Sequence, residues 1–171
     1  MDHPGYMREA LQEAQKAYGL GEVPIGAVVV HNGEIIGRGH NLREMLADSS
    51  AHAEILAMRE AARFLGDWRL NDCVLYSTVE PCPMCAGAIV QFRVGMLVYG
   101  VADPKAGAVD SIMDIVREPR FNHRVEVVSG VLAGECAGII RKFFQELRQK
   151  NKTVKNGEMA ELVEGARLEI E

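Results

Sequence analysis

The sequence predicts an α/β fold, a three-layer α/β/α sandwich around a mixed central sheet of about five strands. Apolar residues recur at helical spacing in several segments, and short β-rich runs bounded by turn residues lie between them. The chain has 171 residues, of which 48% are hydrophobic and 25% charged, and this size and balance fit one globular domain with a full core. We therefore expect a single domain in which helices cover both faces of one sheet.

The N-terminal part of the chain is predicted to form a helix followed by a β-hairpin. The helix has apolar residues at helical spacing and ends at Gly19 and Gly21. Residues 23–30 and 34–39 are β-rich runs joined around Asn32-Gly33, a dipeptide that favours a tight hairpin turn. These two strands are expected to pair in antiparallel fashion.

A strand, a helix and a second strand are predicted in the middle of the chain. A helix over about residues 52–65 precedes a buried strand at 73–79, a helix at 83–93 and a strand at 96–101. Two strands connected through a helix in this way are expected to be parallel, with a right-handed crossover.

A final strand at residues 125–129 leads into a long helix. The apolar stripe of that helix consists of Cys136, Ile139, Ile140, Phe143 and Leu147. We assign residues 1–155 to the folded domain, and we expect residues 156–171 to form an acidic tail or a short helix.

No targeting or membrane segment is expected. The N-terminal segment carries charged residues, among them Arg8, Glu9 and Lys16, so it lacks the unbroken apolar core of a signal peptide. No stretch is long and apolar enough to span a membrane. Four cysteines without a secretory signal favour metal ligands or a redox pair over a disulfide scaffold. We therefore expect a cytoplasmic protein with no membrane association.

Charge is distributed unevenly along the chain. The net charge of −5 argues against nucleic acid as a partner, because nucleic-acid binders usually carry a basic surface. Between Arg141 and Lys155, however, six basic residues face only Glu146, whereas from Gly157 onward five glutamates face only Arg167. The acidic C-terminal segment therefore offsets the basic segment in the net charge of the chain. A run of charges is, however, ordinarily only the solvated face of a helix.

The most informative motif combines His52-Ala53-Glu54 with Cys82-Pro83-Met84-Cys85. Two thiolates and one imidazole provide three protein ligands for zinc and leave a fourth tetrahedral position for water, as a catalytic site requires. Cys82 and Cys85 lie at the start of a predicted helix, so both sulfurs can face one ion, and the helix N-terminus favours thiolate. His52, Cys82 and Cys85 are therefore the predicted ligands of one Zn²⁺.

Glu54 is the predicted catalytic residue. Residues two apart lie about 200° apart around an ideal helix, so His52 and Glu54 can converge on one ion only at the first turn. There the imidazole would bind zinc and the carboxylate would reach the water, whose pKa zinc lowers toward about 7. Glu54 would then take the water proton and pass it to the substrate.

The ends of the predicted strands indicate where a substrate lies. In open α/β sheets the ligand crevice lies at the carboxyl ends of the parallel strands. Cys82 follows one such strand, the loop with Asp103 and Lys105 follows another, and Asn41 ends the second hairpin strand. If that hairpin strand runs parallel to the other two, these groups share one rim, where an amide could contact a base or sugar and a lysine a phosphate.

Simpler interpretations of the same residues stay open at this point. The His/Glu/Cys/Cys set could be a zinc-stabilised fold without catalysis, or a chance pairing of two short motifs. Asn41 could be an ordinary loop residue and Lys105 a solvated charge. Cys73 and Cys136 are expected to be buried and to behave as apolar residues.

Taken together, these residues resemble the bacterial transfer-RNA-specific adenosine deaminases of the cytidine-deaminase-like superfamily. The likeness covers residues 7–152. It rests on residues 22–28, 40–41, 51–54, 80–87, 103–105, 111–114, 121–124 and 143–144. The zinc motif alone would identify only the superfamily, and the last four segments point to the RNA-acting branch.

The resemblance implies hydrolysis of the wobble adenosine of an arginine transfer RNA to inosine, with release of ammonia. It also implies a homodimer with one Zn²⁺ per chain, and a target base that leaves the stack of the anticodon loop to enter the zinc pocket. By the same resemblance, Asn41 and Ala53 would line the base pocket, and Asp103, Lys105, Asn122 and His123 would contact flanking nucleotides. Phe144 and Arg148, one turn apart on the last helix, would offer a stacking face and a phosphate contact.

Two other functions are consistent with the zinc motif. A deaminase of free guanine, cytosine or cytidine would use the same zinc and glutamate, because substrate choice lies in the pocket. A zinc-stabilised RNA-binding module without catalysis would have no need of Glu54. The basic helix with Phe144 and Arg148 favours RNA over a small ligand.

Overall fold

One sheet of five strands forms the centre of the protein, and the computed structural model describes the backbone of residues 1–168 and the side chains of residues 1–155. In chain order the elements are α1 (His3–Gly19), β1 (Gly26–His31), β2 (Glu34–His40), α2 (Arg43–Leu46), α3 (Ala53–Leu65), β3 (Cys73–Val79), α4 (Pro83–Gln91), β4 (Met96–Val101), β5 (Glu126–Val128) and α5 (Ala133–Leu168). The strands lie in the order β2-β1-β3-β4-β5. The predicted α/β class with a five-stranded sheet is confirmed.

The chain forms two units, Met1–Ile140 and the residues from Arg141 onward. The first unit contains the whole sheet, α1 to α4 and the start of α5, and the second contains the rest of α5. The predicted boundary between residues 155 and 156 falls within α5, which continues to Leu168. That boundary stays a prediction, and the acidic character expected of residues 156–171 concerns side chains outside the described residues.

The sheet is mixed because β1 alone runs against its neighbours. It pairs antiparallel with β2 and with β3, whereas β3 pairs parallel with β4 and β4 with β5. Since β2 and β3 both oppose β1, the strands β2, β3, β4 and β5 all run in one direction. Their carboxyl ends therefore meet at one edge of the sheet, as the shared rim predicted for Asn41, Cys82 and Asp103 requires.

Two apolar layers cover the two faces of the sheet, as the alternation of side chains along a strand requires. On β1, Val28 and Val30 pack with α1 residues such as Met7, while Ala27 and Val29 pack with α3 and α4. The hairpin between β1 and β2 turns at Asn32 and Gly33, whose φ values of 50° and 82° fit the tight turn predicted from this dipeptide.

Helix α3 packs against β2 at backbone distance, and glycine makes this approach possible. A Cβ atom at Gly39 would lie 2.2 Å from the carbonyl oxygen of Ala53, and one at Gly37 would lie 2.2 Å from that of Ala57. No side chain fits at either position without moving the helix. The close contact at Gly39 places the first turn of α3, which carries His52 and Glu54, directly over the end of β2.

The ends of several elements differ from the predicted ones. The first hairpin strand begins at Gly26 rather than at residue 23, because Pro24 has no N–H to donate to a neighbouring strand. The last strand has three residues instead of five, and α2 was not expected, because four residues are too few to show a helical period. No helix within the described part of the chain is long and apolar enough to cross a membrane.

Candidate active site

The three predicted metal ligands come together at the N-termini of two helices. His52 precedes α3 and Cys82 precedes α4, each with an extended backbone, and Cys85 lies in the first turn of α4. Nδ1 of His52 lies 3.7 Å from Sγ of Cys82 and 3.5 Å from Sγ of Cys85. All three ligand atoms lie within 4.8 Å of one another. The two helix N-termini favour negative charge on the sulfurs.

The electrostatics of this cluster favour a thiolate at Cys82. Hydrogen bonds from Cys85 and from the His52 ring lower the pKa of the Cys82 thiol to about 4. The hydrogen bond to Cys82 raises the pKa of His52, and the same partner together with burial raises the pKa of Cys85. The sulfur of Cys82 is therefore negative and accepts hydrogen bonds from the Cys85 thiol and the His52 ring. A metal cation can take the place of the protons in these two hydrogen bonds.

The donor set fits zinc in chemistry and in spacing. In a tetrahedral site with ordinary zinc–sulfur and zinc–nitrogen bond lengths, the sulfur and nitrogen ligands lie about 3.6 Å apart. The measured separations of 3.5 and 3.7 Å bracket that value. Three protein ligands leave one position for a water molecule, which distinguishes a catalytic site from a closed structural one.

Glu54 lies in the first turn of α3 beside this cluster and is 4% exposed. Burial raises the pKa of its carboxyl group above the ordinary value. A raised pKa brings a carboxyl group closer to the working pH, which suits a residue that takes up a proton and gives it back. This is the property that the predicted role of Glu54 requires.

A cavity of about 110 Å³ opens beside the ligand cluster. Its lining consists of Val23, Ile25, Asn41, Arg43, His52, Ala53 and Glu54. The structure therefore brings together Asn41, Ala53, His52 and Glu54, each of which is predicted from the sequence to belong to the site. The cavity is concave, with apolar walls and a few polar groups, as a small-molecule or base pocket is expected to be.

Asn41 is held at the cavity wall by its own hydrogen bonds. Its Nδ2 atom donates to the carbonyl of Val23 at 3.3 Å and to Glu22 at 3.5 Å, and its Oδ1 atom accepts from the backbone N–H of Arg43 at 3.2 Å. The side chain is 7% exposed. Its orientation is thus fixed before any substrate arrives.

Asp103 and Lys105 lie in the loop after β4, at the same edge of the sheet. The Oδ1 atom of Asp103 accepts the backbone N–H groups of Lys105 at 3.0 Å and of Ala106 at 3.2 Å, so Asp103 closes a turn. The Lys105 side chain is exposed. The loop is attached to Glu80, which follows β3 two residues before Cys82.

The other predicted substrate contacts lie outside the cavity lining. Asn122 is exposed, and a ring nitrogen of His123 lies 2.7 Å from the carbonyl of Val94. Phe144 and Arg148 belong to the second unit, where both are exposed and the ring of Phe144 meets that of Phe143 edge-on at 5.3 Å. Their contacts with RNA stay predictions.

Two buried carboxylates, Glu22 and Glu80, and the cavity residue Arg43 were not predicted from the sequence to have a role at the site. Glu22 is 2% exposed and Glu80 is 3% exposed. Burial raises the pKa of Glu80, but hydrogen bonds from Ser111 and from backbone N–H groups outweigh burial and lower the pKa to about 2. A glutamate at the end of an apolar strand, directly before Pro81 and Cys82, was the available signal for Glu80, because a charge in such a position needs partners.

Known proteins are similar to this chain over most of its length. The model of the MafB19-like deaminase family matches residues 1–148. A tRNA-specific adenosine deaminase of Bacillus subtilis is 57% identical over 150 residues, covering 88% of this chain and 93% of the relative. A tRNA-specific adenosine deaminase of Streptococcus pyogenes is 47% identical over 151 residues, covering 88% of both chains.

A solved structure from studies of A-to-I editing by tRNA deaminases at the wobble position shares 45% identity with a TM-score of 0.76, covering 79% of this chain and 98% of its own. The guanine deaminase from Bacillus subtilis is more distant, with 32% identity and a TM-score of 0.57 over 66% of this chain and 83% of its own. The expected cytidine-deaminase-like fold is thereby confirmed, and fold and site together define a deaminase. More particularly, the chain belongs to the family of tRNA-specific adenosine deaminases.

Proposed function

We propose that this protein hydrolyses the wobble adenosine in the anticodon loop of a transfer RNA to inosine and ammonia. The observation that carries the proposal is the cavity lined by Glu54, Asn41 and His52, beside the cluster that His52 forms with Cys82 and Cys85. Membership of the tRNA-specific adenosine deaminases supports adenosine in RNA as the substrate. Adenine must leave the stack of the loop to reach such a cavity.

In the proposed mechanism His52, Cys82 and Cys85 hold one zinc ion per chain. When bound, zinc would polarise a water molecule and make it a nucleophile near neutral pH. Glu54 accepts one proton of that water and delivers it to the ring nitrogen beside the attacked carbon. It then accepts the proton of the hydroxyl group that the carbon has gained and passes it to the amine, which departs as the bond between carbon and nitrogen breaks. One water is consumed and one ammonia leaves, so hypoxanthine replaces adenine.

The remaining assigned residues orient the RNA in this proposal. Asn41 and Ala53 line the base pocket, and Asp103, Lys105, Asn122 and His123 contact the nucleotides beside the target. Phe144 offers a stacking face and Arg148 a phosphate contact. We further propose an arginine transfer RNA as substrate, a homodimer as the working form, and the cytoplasm as its location, as the family resemblance implies.

The deciding experiment measures turnover of an anticodon stem-loop with a wobble adenosine, and of free adenosine, guanine and cytidine. Ammonia release reports on all four substrates, and formation of inosine reports on the two that contain adenosine. We expect turnover of the stem-loop and one zinc per chain by metal analysis. Glu54→Gln keeps the shape of the side chain and should retain zinc while losing turnover. Full activity in that variant would remove Glu54 from the mechanism.

A second candidate is a deaminase of a free base such as guanine. The likeness to the guanine deaminase from Bacillus subtilis favours it, because both proteins share the fold and the substrate would fit a small cavity. Turnover of guanine without turnover of the stem-loop would establish this function in place of the first.

A further inference from the structure

The carboxylate of Glu80 collects hydrogen bonds from a whole loop. One oxygen, Oε1, accepts the backbone N–H groups of Val109 at 3.1 Å, Asp110 at 2.7 Å and Ser111 at 2.9 Å. The other oxygen, Oε2, accepts the backbone N–H of Asp103 at 2.9 Å and the hydroxyl of Ser111. One buried side chain thus holds both ends of residues 103–111, the loop that carries Lys105.

The middle of this loop also lies against the segment before α4. A Cβ atom at Gly107 would lie 2.2 Å from Oε2 of Glu80, so only glycine allows the backbone to pass at this distance. The backbone N–H of Ala108 donates to the carbonyl of Pro81 at 2.8 Å. Glu80 and Pro81 directly precede the metal ligand Cys82, so loop and ligand share one support.

Asp103 links Glu80 to Lys105, which is predicted to contact RNA. Glu80 fixes the backbone N–H of Asp103, and the Asp103 side chain in turn caps the N–H groups of Lys105 and Ala106. A shift at Glu80 would therefore move the turn that presents Lys105 to solvent. It would move that turn relative to Cys82, and hence relative to the reacting base.

We propose that Glu80 is a positioning residue for the RNA substrate, which sets the place of Asp103 and Lys105 relative to the metal ligands. This inference rests on the proposed function, because it assumes that residues 103–105 contact nucleotides beside the target base. Glu80 itself touches no substrate and acts through the loop. Glu80 thereby connects the end of β3, the loop of residues 103–111 and the segment that leads into α4.

The test is a double-mutant cycle on the stem-loop reaction. Glu80→Gln keeps the size of the side chain but replaces one acceptor oxygen with a donor that faces backbone N–H groups. We expect it to lower kcat/KM for the stem-loop by about tenfold, mainly through KM, while zinc stays at one per chain. In a Lys105→Ala background the same change should cost less than about threefold, because residues that act as a unit are not additive.

A matched control separates positioning from stability. Glu13→Gln replaces another buried carboxylate, which is 2% exposed. Glu13 lies in α1 and contacts Lys16 and His40. The Glu13→Gln change should lower the thermal midpoint without changing KM. If Glu80→Gln behaves in the same way, or if its penalty is equal in both backgrounds, Glu80 is only structural and the inference is wrong.

A milder variant keeps the inference testable if Glu80→Gln does not fold. Ser111→Ala removes one of the five hydrogen bonds to Glu80 and should raise KM in the same direction by a smaller factor, again with less effect beside Lys105→Ala. An unchanged KM in Ser111→Ala would overturn the inference. Absence of stem-loop turnover in the wild-type protein would instead overturn the proposed function on which it rests.

Discussion

The backbone N–H of Met45 donates a 2.6 Å hydrogen bond to the carboxylate of Glu22, a residue 23 positions earlier in the chain. The other oxygen of the same carboxylate lies 3.5 Å from the side-chain amide of Asn41. Glu22 therefore fastens the segment after β2 to the wall of the cavity. Asn41, the group expected to contact the base or the sugar, depends on this attachment for its position.

Replacing Glu22 with Gln should impair the reaction more than it impairs the fold. One oxygen becomes an amide nitrogen, so either Met45 loses its acceptor or Asn41 meets a second donor. We expect kcat/KM for the stem-loop to fall by about 5- to 30-fold, as one to two kcal/mol of lost positioning implies. Glu34 is exposed at the start of β2, so Glu34→Gln is the control and should be neutral.

Substitution of Gly39 should weaken the packing of α3 against β2 next to the site. Alanine there would place its Cβ 2.2 Å from the carbonyl oxygen of Ala53, and the helix that carries His52 and Glu54 would have to move. We expect a loss of about 1–3 kcal/mol in the free energy of unfolding, together with weaker zinc retention in a chelator titration.

Gly138 provides the contrast for that experiment. It lies within α5, and a Cβ atom there would have no neighbour within 4 Å, so Gly138→Ala should stabilise the protein by up to about 1 kcal/mol. Equal effects of the two alanines would show that the contact between α3 and β2 is not tight.

Acid should remove the stabilising contribution of Glu13. Burial raises the pKa of this carboxyl, but hydrogen bonds from Lys16 at 2.7 Å and His40 at 3.0 Å outweigh burial and hold the pKa below its ordinary value of 4.5. A lowered pKa in the folded state gives stability that is present above pH 4.5 and is lost as the pH falls through the folded pKa.

Urea unfolding of the wild type and of Glu13→Gln between pH 6 and pH 3 tests this expectation. The free energy of unfolding should differ most at pH 6, and the difference should shrink as the pH falls, because a protonated Glu13 resembles glutamine. A difference that is constant across this range would contradict the expected contribution of the charged form.

Arg148 should contribute to RNA affinity through a phosphate. Arg148→Ala should reduce the slope of log K against log salt concentration for stem-loop binding by about 0.7 to 0.9, the value for one lost phosphate contact. Arg69 is a suitable control because it stacks on Trp68 at 4.2 Å in the connection before β3, so it lies near the amino end of that strand and not at the carboxyl end that leads to Cys82. Arg69→Ala should leave the slope unchanged.

The clustering of His52, Cys82 and Cys85 was predictable because its signal is local in sequence. Ligands spaced as in Cys82 and Cys85 must lie near each other wherever the helix begins, and the first turn of α3 was the only place where His52 and Glu54 could converge. The position of Asn41 at the same rim as Cys82 was predictable only on the condition that β2 runs parallel to β3. That condition is met because β1 pairs antiparallel with both strands, and no local sequence pattern predicts such pairing.

The two anchoring carboxylates could not be derived in this way. Glu22 and Glu80 bind backbone N–H groups at Met45 and at Val109 to Ser111, and every residue except proline offers such a group. Nothing in residue type marks these distant partners. Helix α2 was missed for the related reason that four residues are fewer than a pattern needs.

The predicted ligands of the metal come from two stretches of chain on either side of the exposed residues 66–69. His52 and Glu54 precede this connection, and Cys82 and Cys85 follow it. A polypeptide cut there would give two halves, each with an incomplete ligand set, although β1 and β3 could still pair across the cut. Zinc binding and turnover would then depend on complementation, so this enzyme could be divided into a split pair whose activity reports reassembly.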